Sequence, residues 1–353
     1  MKTRIQSVLL AALIAPLCNS ARLYAQVSEF HPGVVADGVN YALPATGIRA
    51  EVTVRKVTFT PGEYAKYAER FLHIQNAGTQ QQVVQSIESI NISQYGEPDS
   101  TKYYTVKMKD KTIAPMAQLT ENGILVSINK TVDLPQPQTA QHKSTSHRLD
   151  SRKYFTSEML SASSTTKMAE LAAQEIMDIR ESKNALRRGT METMPKDGAS
   201  LNILLKELNA QEDALLQLFT GYSDTLTYSE TYSIMPTADV DKCVFFRFSS
   251  KLGLLDDDDL AGNPYYISIT DQHTVPLPTE AEQKKRKITG IVYNMPSVAN
   301  VKVFTNTSTL YDKDLPFAQF GTIDVLANTL FGKESTTSVT FNPVTGGLVK
   351  IEK

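Results

Sequence analysis

Residues 164–221 have the sequence STTKMAELAAQEIMDIRESKNALRRGTMETMPKDGASLNILLKELNAQEDALLQLFTG and are the one stretch of the chain with sustained helical periodicity. Apolar residues in both halves recur at steps of three, four or seven, which places them on one side of a helix with about 3.6 residues per turn. The stretch therefore predicts two consecutive helices that form a hairpin. The two apolar stripes are Met168, Leu171, Ala172, Ile176, Ile179 and Leu186, followed by Leu201, Leu204, Leu205, Leu208, Leu215 and Phe219.

The ends of both predicted helices carry capping residues. Arg187 and Arg188 place positive charge at the negative end of the first helix dipole, and Gly189 can adopt the left-handed conformation of a C-cap. We expect Asp197 to accept hydrogen bonds from free backbone amides at the start of the second helix, which ends at Gly221. Local sequence thus predicts the limits of the hairpin.

Two charged residues fall inside the apolar stripes. Glu212 lies between Leu208 and Leu215, and Lys183 lies in the first stripe. A desolvated charge without a partner costs several kcal/mol, so we expect Glu212 to pair with Arg180 or Lys183, or to lie at the rim of the buried surface. We interpret the pair as structural, against the alternative of a catalytic carboxylate.

Both flanks of the hairpin have the patterns of β strands. Apolar and polar residues alternate from Ile48 to Val54, the period of a half-buried strand, and residues 26–130 predict a β-rich unit with one short helix. Residues 222–353 predict a second β-rich unit, because turn residues separate its strands at intervals typical of a sandwich or barrel.

The segment between the first β-rich unit and the hairpin, residues 131–155, lacks periodicity and is rich in Pro, Gln, Ser and Thr. We interpret it as a polar linker. With the hairpin at residues 156–221, the predicted fold class is α+β. The chain then has two mainly antiparallel β units, sandwich- or barrel-like, with a helical hairpin between them.

Residues 1–25 have the features of a secretory signal peptide. Lys2 and Arg4 precede an uncharged apolar run that is too short to span a bilayer, and small and polar residues lead to an expected cleavage site after Ala25. We therefore expect export to the periplasm or the outer surface, with no transmembrane segment in the mature chain.

The charge balance argues against nucleic acid as a partner. The chain has a formal net charge of −2, and removal of the signal peptide makes it more negative, whereas phosphate binding needs a basic surface. We interpret the one basic cluster, residues 284–287, as a solvated loop.

No motif in the sequence predicts a cofactor, a metal site or a catalytic triad. The acidic run Asp256–Asp259 lacks the spacing of a calcium-binding loop, and we interpret it as a solvated loop. His142 and His147 lack further metal ligands at set positions. The paired carboxylates of a glycosidase leave no local motif, so a carbohydrate-processing hydrolase stays open as an alternative.

Two tyrosine pairs are candidates for a ligand surface. Tyr103-Tyr104 and Tyr265-Tyr266 fall in predicted strands, where one ring of each pair should face the core and the other should face outward. An exposed row of tyrosines would suit a glycan, although the same composition is ordinary for strands.

Several short motifs are distinctive as a set. They are Tyr41-Ala42-Leu43-Pro44, Pro61-Gly62-Glu63-Tyr64-Ala65-Lys66-Tyr67-Ala68, Glu207-Leu208 with Glu212, Leu218-Phe219-Thr220-Gly221, Phe246-Arg247-Phe248-Ser249 and Pro316-Phe317-Ala318-Gln319-Phe320-Gly321. On these residues the chain resembles a family of secreted proteins of unknown function from Bacteroides-type bacteria. The resemblance covers most of the mature chain and implies secretion and a shared fold, but it implies no catalytic residue.

These observations lead to one functional expectation and two alternatives. We expect a secreted, non-enzymatic binding or assembly module of the cell envelope, whose partner is a glycan or an envelope protein. A hydrolase with dispersed carboxylates is the first alternative. A surface adhesin or polymerising subunit is the second, and it predicts an exposed edge strand.

Overall fold

A computed structural model describes residues 39–106, 117–134, 143–191, 197–276, 278–279, 290–327, 330 and 337–353. The expected signal peptide and the basic cluster 284–287 lie outside these residues. The helices are α1 (Ala68–Leu72), α2 (Ser157–Ser161), α3 (Thr165–Arg188) and α4 (Gly198–Thr220), with 3-10 turns at Ala65–Tyr67 and Ser151–Tyr154. The strands are β1 (Val39–Thr60), β2 (Gln82–Val106), β3 (Ala117–Leu119), β4 (Leu125–Ile128), β5 (Lys143–Thr145), β6 (Tyr222–Ile234), β7 (Val240–Ser249), β8 (Gly253–Leu255), β9 (Asn263–Asp271), β10 (Gly290–Phe304), β11 (Thr309–Ala327), β12 (Ser338–Phe341) and β13 (Leu348–Glu352).

Helices α3 and α4 form the predicted hairpin. The Ser164 hydroxyl accepts a hydrogen bond from the Lys167 amide (3.2 Å) at the start of α3, and Gly189 ends this helix in the left-handed region with a φ of 69°. Asp197 Oδ1 accepts from the Ser200 amide (2.8 Å) at the start of α4. Because these caps satisfy backbone groups that lack partners within the helix, local sequence sets the limits of the hairpin.

The apolar stripe of α4 is buried most deeply in its second half. Leu215 and Phe219 lie in the helical core, whereas Leu204, in the first half of the stripe, is 38% exposed. The short elements around Ala68 and Met159 pack against the end of the hairpin nearest the sheets. No described helix combines the length and apolarity needed to cross a membrane.

Three antiparallel sheets form the rest of the described molecule. Their strand orders are β2-β1-β6-β5, β11-β10-β9-β7-β8 and β13-β12-β4-β3. The first two sheets enclose one core that contains Val52, Phe246, Ile269 and Phe317. Antiparallel sheets packed around such a core, together with the pair of long helices, confirm the predicted α+β class.

Strand β1 contributes residues to two hydrophobic cores and ends next to the helical core. Tyr41 and Leu43 at its start pack in a core formed with the third sheet. The alternating apolar residues from Ile48 to Val54 have no exposed surface and face the second sheet, as their period of two requires. The end of the strand at Thr60 leads directly into the helical unit.

The sheets combine strands from both predicted β units. β6 pairs with β1, and β12 pairs with β4. β5 lies in the segment interpreted as a linker and pairs with β6. The topology therefore joins residues 26–130 and 222–353 within shared sheets, while the individual domain boundaries stay a prediction.

Candidate ligand cleft at the helix and sheet junction

The backbones of β1 and α4 meet closely at the junction between the first sheet and the helices. The Tyr64 amide donates to the Leu218 carbonyl oxygen (2.7 Å), and a Cβ atom on Gly62 would lie 2.2 Å from that same oxygen. Gly221 has a φ of 75°, and a Cβ atom there would lie 2.3 Å from the Thr60 carbonyl oxygen. Only glycine fits at these two positions, because any side chain would overlap the backbone.

The segment before the hairpin forms the opposite wall of this junction. The Gln217 side chain holds it at two points: its Oε1 accepts from the Leu149 amide (2.7 Å) and its Nε2 donates to the His147 carbonyl (2.6 Å). Ser146 also donates to Asp224 at the start of β6 (2.6 Å). Part of the predicted linker is therefore fixed against α4 and β6.

Between these walls lies a cavity of about 510 Å³, which we call the junction cleft. It is lined by residues 60–63, 148–152 and 217–218, together with Phe155 and Tyr222. Four segments that are distant in sequence build this cleft. They are the end of β1 with the residues that follow it, the segment predicted to be a linker, the end of α4 and the start of β6.

The junction cleft carries charges of both signs and two aromatic rings. Arg148 and Arg152 are exposed cations, and Glu63 and Asp150 are exposed acids. Asp150 Oδ2 also lies 3.7 Å from Nζ of Lys153, a residue that does not line the cleft.

Two of these charges change the pKa of the nearby buried residue Tyr64. Burial raises the pKa of the Tyr64 hydroxyl, and Glu63 raises it further. Arg152 acts in the opposite direction. Two charges of the cleft lining therefore act on the hydroxyl of Tyr64, which is buried in the helical core.

The junction cleft suits a polar ligand that offers both hydrogen-bond donors and acceptors. Guanidinium groups only donate and ionised carboxylates only accept, so a ligand with hydroxyl groups can use both kinds. Phe155 and Tyr222 are half-buried and add apolar ring surface. A concave site with a few polar groups placed around apolar surface is the usual form of a small-ligand site.

No local pattern in the sequence predicts this cleft. Its walls come from separate segments, and none of them contains a chemical motif. Pro61-Gly62-Glu63 and Leu218 did belong to the motifs that carry the family resemblance. Each of these two motifs also contains a glycine, Gly62 or Gly221, that lies against backbone atoms at the junction. These glycines were the sequence feature that pointed to the cleft.

The structure brings Glu212 together with both of its expected partners. Arg180 Nε donates to Oε1 (2.6 Å), and Lys183 Nζ donates to Oε2 and also to Asn209 Oδ1 (2.8 Å). Burial acts to raise the pKa of Glu212, but the hydrogen bonds from Lys183 and Arg180 outweigh burial and lower the pKa. These residues connect α3 to α4 and do not line the junction cleft.

The four candidate tyrosines are not brought together. Tyr103 and Tyr104 lie on β2 in the first sheet, and Tyr265 and Tyr266 lie on β9 in the second. Within each pair the rings alternate: Tyr103 is 59% exposed, whereas Tyr104 packs against the core. Tyr265 stacks on Phe246 with ring centroids 4.6 Å apart.

Tyr266 faces away from the core of the second sheet. Its ring lies 5.6 Å from that of Phe304, and Lys242 Nζ lies 4.7 Å from its centroid. Tyr103 and Tyr266 are thus outward rings on different sheets, and they do not form one continuous row.

A second cavity of about 360 Å³ lies between β10 and the start of β13 and has a more apolar lining. Asn294, 1% exposed, lines it. Its Nδ2 donates to the Pro44 carbonyl (3.0 Å) and the Thr345 carbonyl (2.9 Å), and its buried Oδ1 has no hydrogen-bond partner among the described residues. The charged residues and half-buried rings make the junction cleft the better candidate site.

Metal-ligating side chains do not cluster in the part of the chain that the structure describes, where no group of three His, Cys, Asp or Glu residues could hold an ion. His142 lies outside the described residues. His147 Nδ1 lies 3.1 Å from the Ser223 carbonyl oxygen.

The family model described as a domain of unknown function (DUF4831) matches residues 37–349, which is most of the chain. No curated protein and no solved structure matches the chain. The matched segment contains every strand and helix that builds the junction cleft. The chain therefore belongs to the DUF4831 family, a family of unknown function.

Proposed function

We propose that this protein is an exported, non-enzymatic binding or assembly module of the cell envelope, and that its ligand occupies the junction cleft. The observation that carries the proposal is the cleft itself. At about 510 Å³ it has the size of a small-ligand site. Glycine contacts and the Gln217 side chain hold its walls in place.

The ligand class that best fits the cleft is a glycan. Sugar hydroxyl groups both donate and accept, which matches the two arginines and two carboxylates of the lining. The faces of sugar rings are apolar and pack on aromatic side chains, for which Phe155 and Tyr222 are available. A glycan also suits a protein that works outside the cytoplasm.

A glycan array on the purified protein, followed by titration calorimetry with the best-bound glycan, tests this proposal. We expect the double variant R148Q/R152Q to weaken binding at least about tenfold, because it removes charge-assisted hydrogen bonds to the ligand. The matched control is R187Q/K206Q, which removes two exposed cations from the hairpin outside the cleft. The control should bind like the unmodified protein.

Two results would contradict the proposal. A silent array rejects the glycan as ligand. Equal binding by R148Q/R152Q and the control rejects the junction cleft as the site. Thermal unfolding of each variant ensures that lost binding does not reflect lost folding.

A carbohydrate-processing hydrolase is the second candidate, because Glu63 and Asp150 both line the cleft. Two carboxylates on either side of a glycosidic bond are the machinery of most glycosidases. Incubation of the bound glycan with the protein separates the two candidates. A binding module returns the glycan intact, whereas a hydrolase cleaves it and loses this activity in E63Q or D150N.

The proposed location rests on the basic and apolar pattern of residues 1–25. Cell fractionation followed by N-terminal sequencing tests it. We expect the protein outside the cytoplasm with Gln26 as its first residue. Recovery from the cytoplasm with Met1 in place would contradict export.

A further inference from the structure

Strand β13 is an edge strand with an available outer side. β12 pairs with its inner side, and no other strand among the described residues pairs with it. Gly347, immediately before β13, forms a bridge with Asn294 of β10. Within the described part of the chain, the outer side of residues 349–353 therefore has no strand partner, and its backbone groups can pair with a further strand.

The side chains of this edge are unusually apolar for an exposed position. Val349 is 62% exposed, Ile351 is 41% exposed and Leu348 is 37% exposed. Met295, 38% exposed, lines the second cavity together with Leu348 and Val349. Exposed aliphatic side chains on a free edge favour pairing with another strand.

The sequence of the free edge, Val-Lys-Ile-Glu-Lys, is complementary to itself in one antiparallel register. When Ile351 faces Ile351 of a second copy, Lys350 faces Glu352 of that copy, and the two-fold axis repeats the pair. A register centred on Lys350 would instead place two lysines directly opposite each other, which is unfavourable. Charge complementarity therefore selects the register centred on Ile351.

The contacts within one chain are compatible with this pairing. Glu352 accepts from Lys130 Nζ (2.7 Å) and from Lys350 Nζ. The Lys350 side chain is 62% exposed and can turn toward the second copy. Lys130 stays as the partner of Glu352 within the chain.

We propose that two copies of this chain pair through β13, antiparallel and about a two-fold axis, with Ile351 at the centre. Such an interface uses the same surface on both copies and closes on itself. It produces a dimer in which the sheet continues from one copy to the other, and it does not extend into a fibre.

Sedimentation velocity of the purified protein over a wide concentration range tests the pairing. We expect a reversible dimer for the unmodified protein. K350E and E352K each place like charges opposite each other twice, so each variant alone should dimerise about tenfold more weakly. I351K places a charge at the centre of the interface and should be monomeric.

A mixture of K350E and E352K provides the decisive experiment. In the mixed pair, opposite charges face each other at both positions, so the mixture should recover the dimer that each variant loses. A structural defect of either variant cannot produce this recovery. Thermal unfolding of the separate variants confirms that each is folded before mixing.

Three outcomes would overturn the proposal. The first is an unmodified protein that stays monomeric at every concentration. The second is a dimer that persists unchanged in I351K, which would place the interface elsewhere. The third is a mixture of K350E and E352K that associates no better than its components, which would show that the proposed register is wrong.

Discussion

Two carboxylates of this protein have similar partners in opposite surroundings. Glu212 accepts from Arg180 and Lys183 between the two long helices, and Glu352 accepts from Lys130 and Lys350 at the edge of the third sheet. The Glu212 side chain is 12% exposed, whereas that of Glu352 is 34% exposed. Each glutamate therefore has two cationic partners, and the two sites differ in their exposure to water.

The difference between them lies in what remains when a partner is removed. Lys183 is buried on the hairpin, so it depends on Glu212 and Asn209 for compensation of its charge. Lys130 and Lys350 are largely exposed, and water replaces a lost carboxylate. Truncation of one member of a buried pair therefore destabilises the folded protein strongly, whereas truncation of one member of an exposed pair changes its stability very little.

The largest effect in this comparison is expected from Glu212→Ala. We expect it to lower the free energy of unfolding by about 3 kcal/mol, because Lys183 stays buried without its carboxylate. Urea unfolding at neutral pH measures this loss. The double variant E212M/K183M removes both buried charges at similar volume and should recover most of it. If E212A were as stable as the unmodified protein, the buried Lys183 would not need the carboxylate of Glu212.

A smaller effect is expected from pH acting on Glu212. Its pKa is lower in the folded protein than in the unfolded chain, where it is about 4.3. The ionised carboxylate therefore contributes stability above the unfolded pKa, and this contribution is lost as pH falls through the folded pKa.

Thermal unfolding of the unmodified protein and E212Q from neutral to acidic pH checks this sign. The difference in melting temperature should be largest at neutral pH and should shrink at acidic pH. A difference that grows on acidification would mean that burial, and not the hydrogen bonds from Lys183 and Arg180, dominates the pKa of Glu212.

The smallest effect is expected from Glu352→Gln. Hydrogen bonds from Lys130 and Lys350 lower the pKa of Glu352 to about 2, but all three groups are accessible to water. We expect no resolvable change in the unfolding midpoint, measured at low protein concentration so that self-association does not contribute. A loss as large as that of E212A would remove the distinction between the two sites.

The helices show how much of the fold local sequence predicts. The spacing of Ile176 and Leu215 with their neighbours predicts both helices, and Gly189 and Asp197 predict where they end and begin. Periodicity does not show how far a second layer extends over a stripe. Leu204 is therefore 38% exposed although it belongs to the apolar stripe of α4.

The candidate site shows the opposite limit. The junction cleft depends on Gly62 and Gly221 approaching backbone atoms, and on Gln217 holding the segment before the hairpin. Each of these residues is ordinary in its own segment. The cleft exists only because β1, α4 and β6 end at the same place, and no local pattern contains that information.

Local sequence predicts the helical hairpin, its caps, the alternation of β1 and the α+β class, because periodicity and capping are properties of neighbouring residues. Tertiary structure decided which strands pair, so that β6 lies beside β1 and β12 beside β4. It also decided which half of α4 is buried and where a cleft forms. The physical reason is that backbone hydrogen bonds are the same for every strand, so pairing is selected by the shared cores that distant side chains fill.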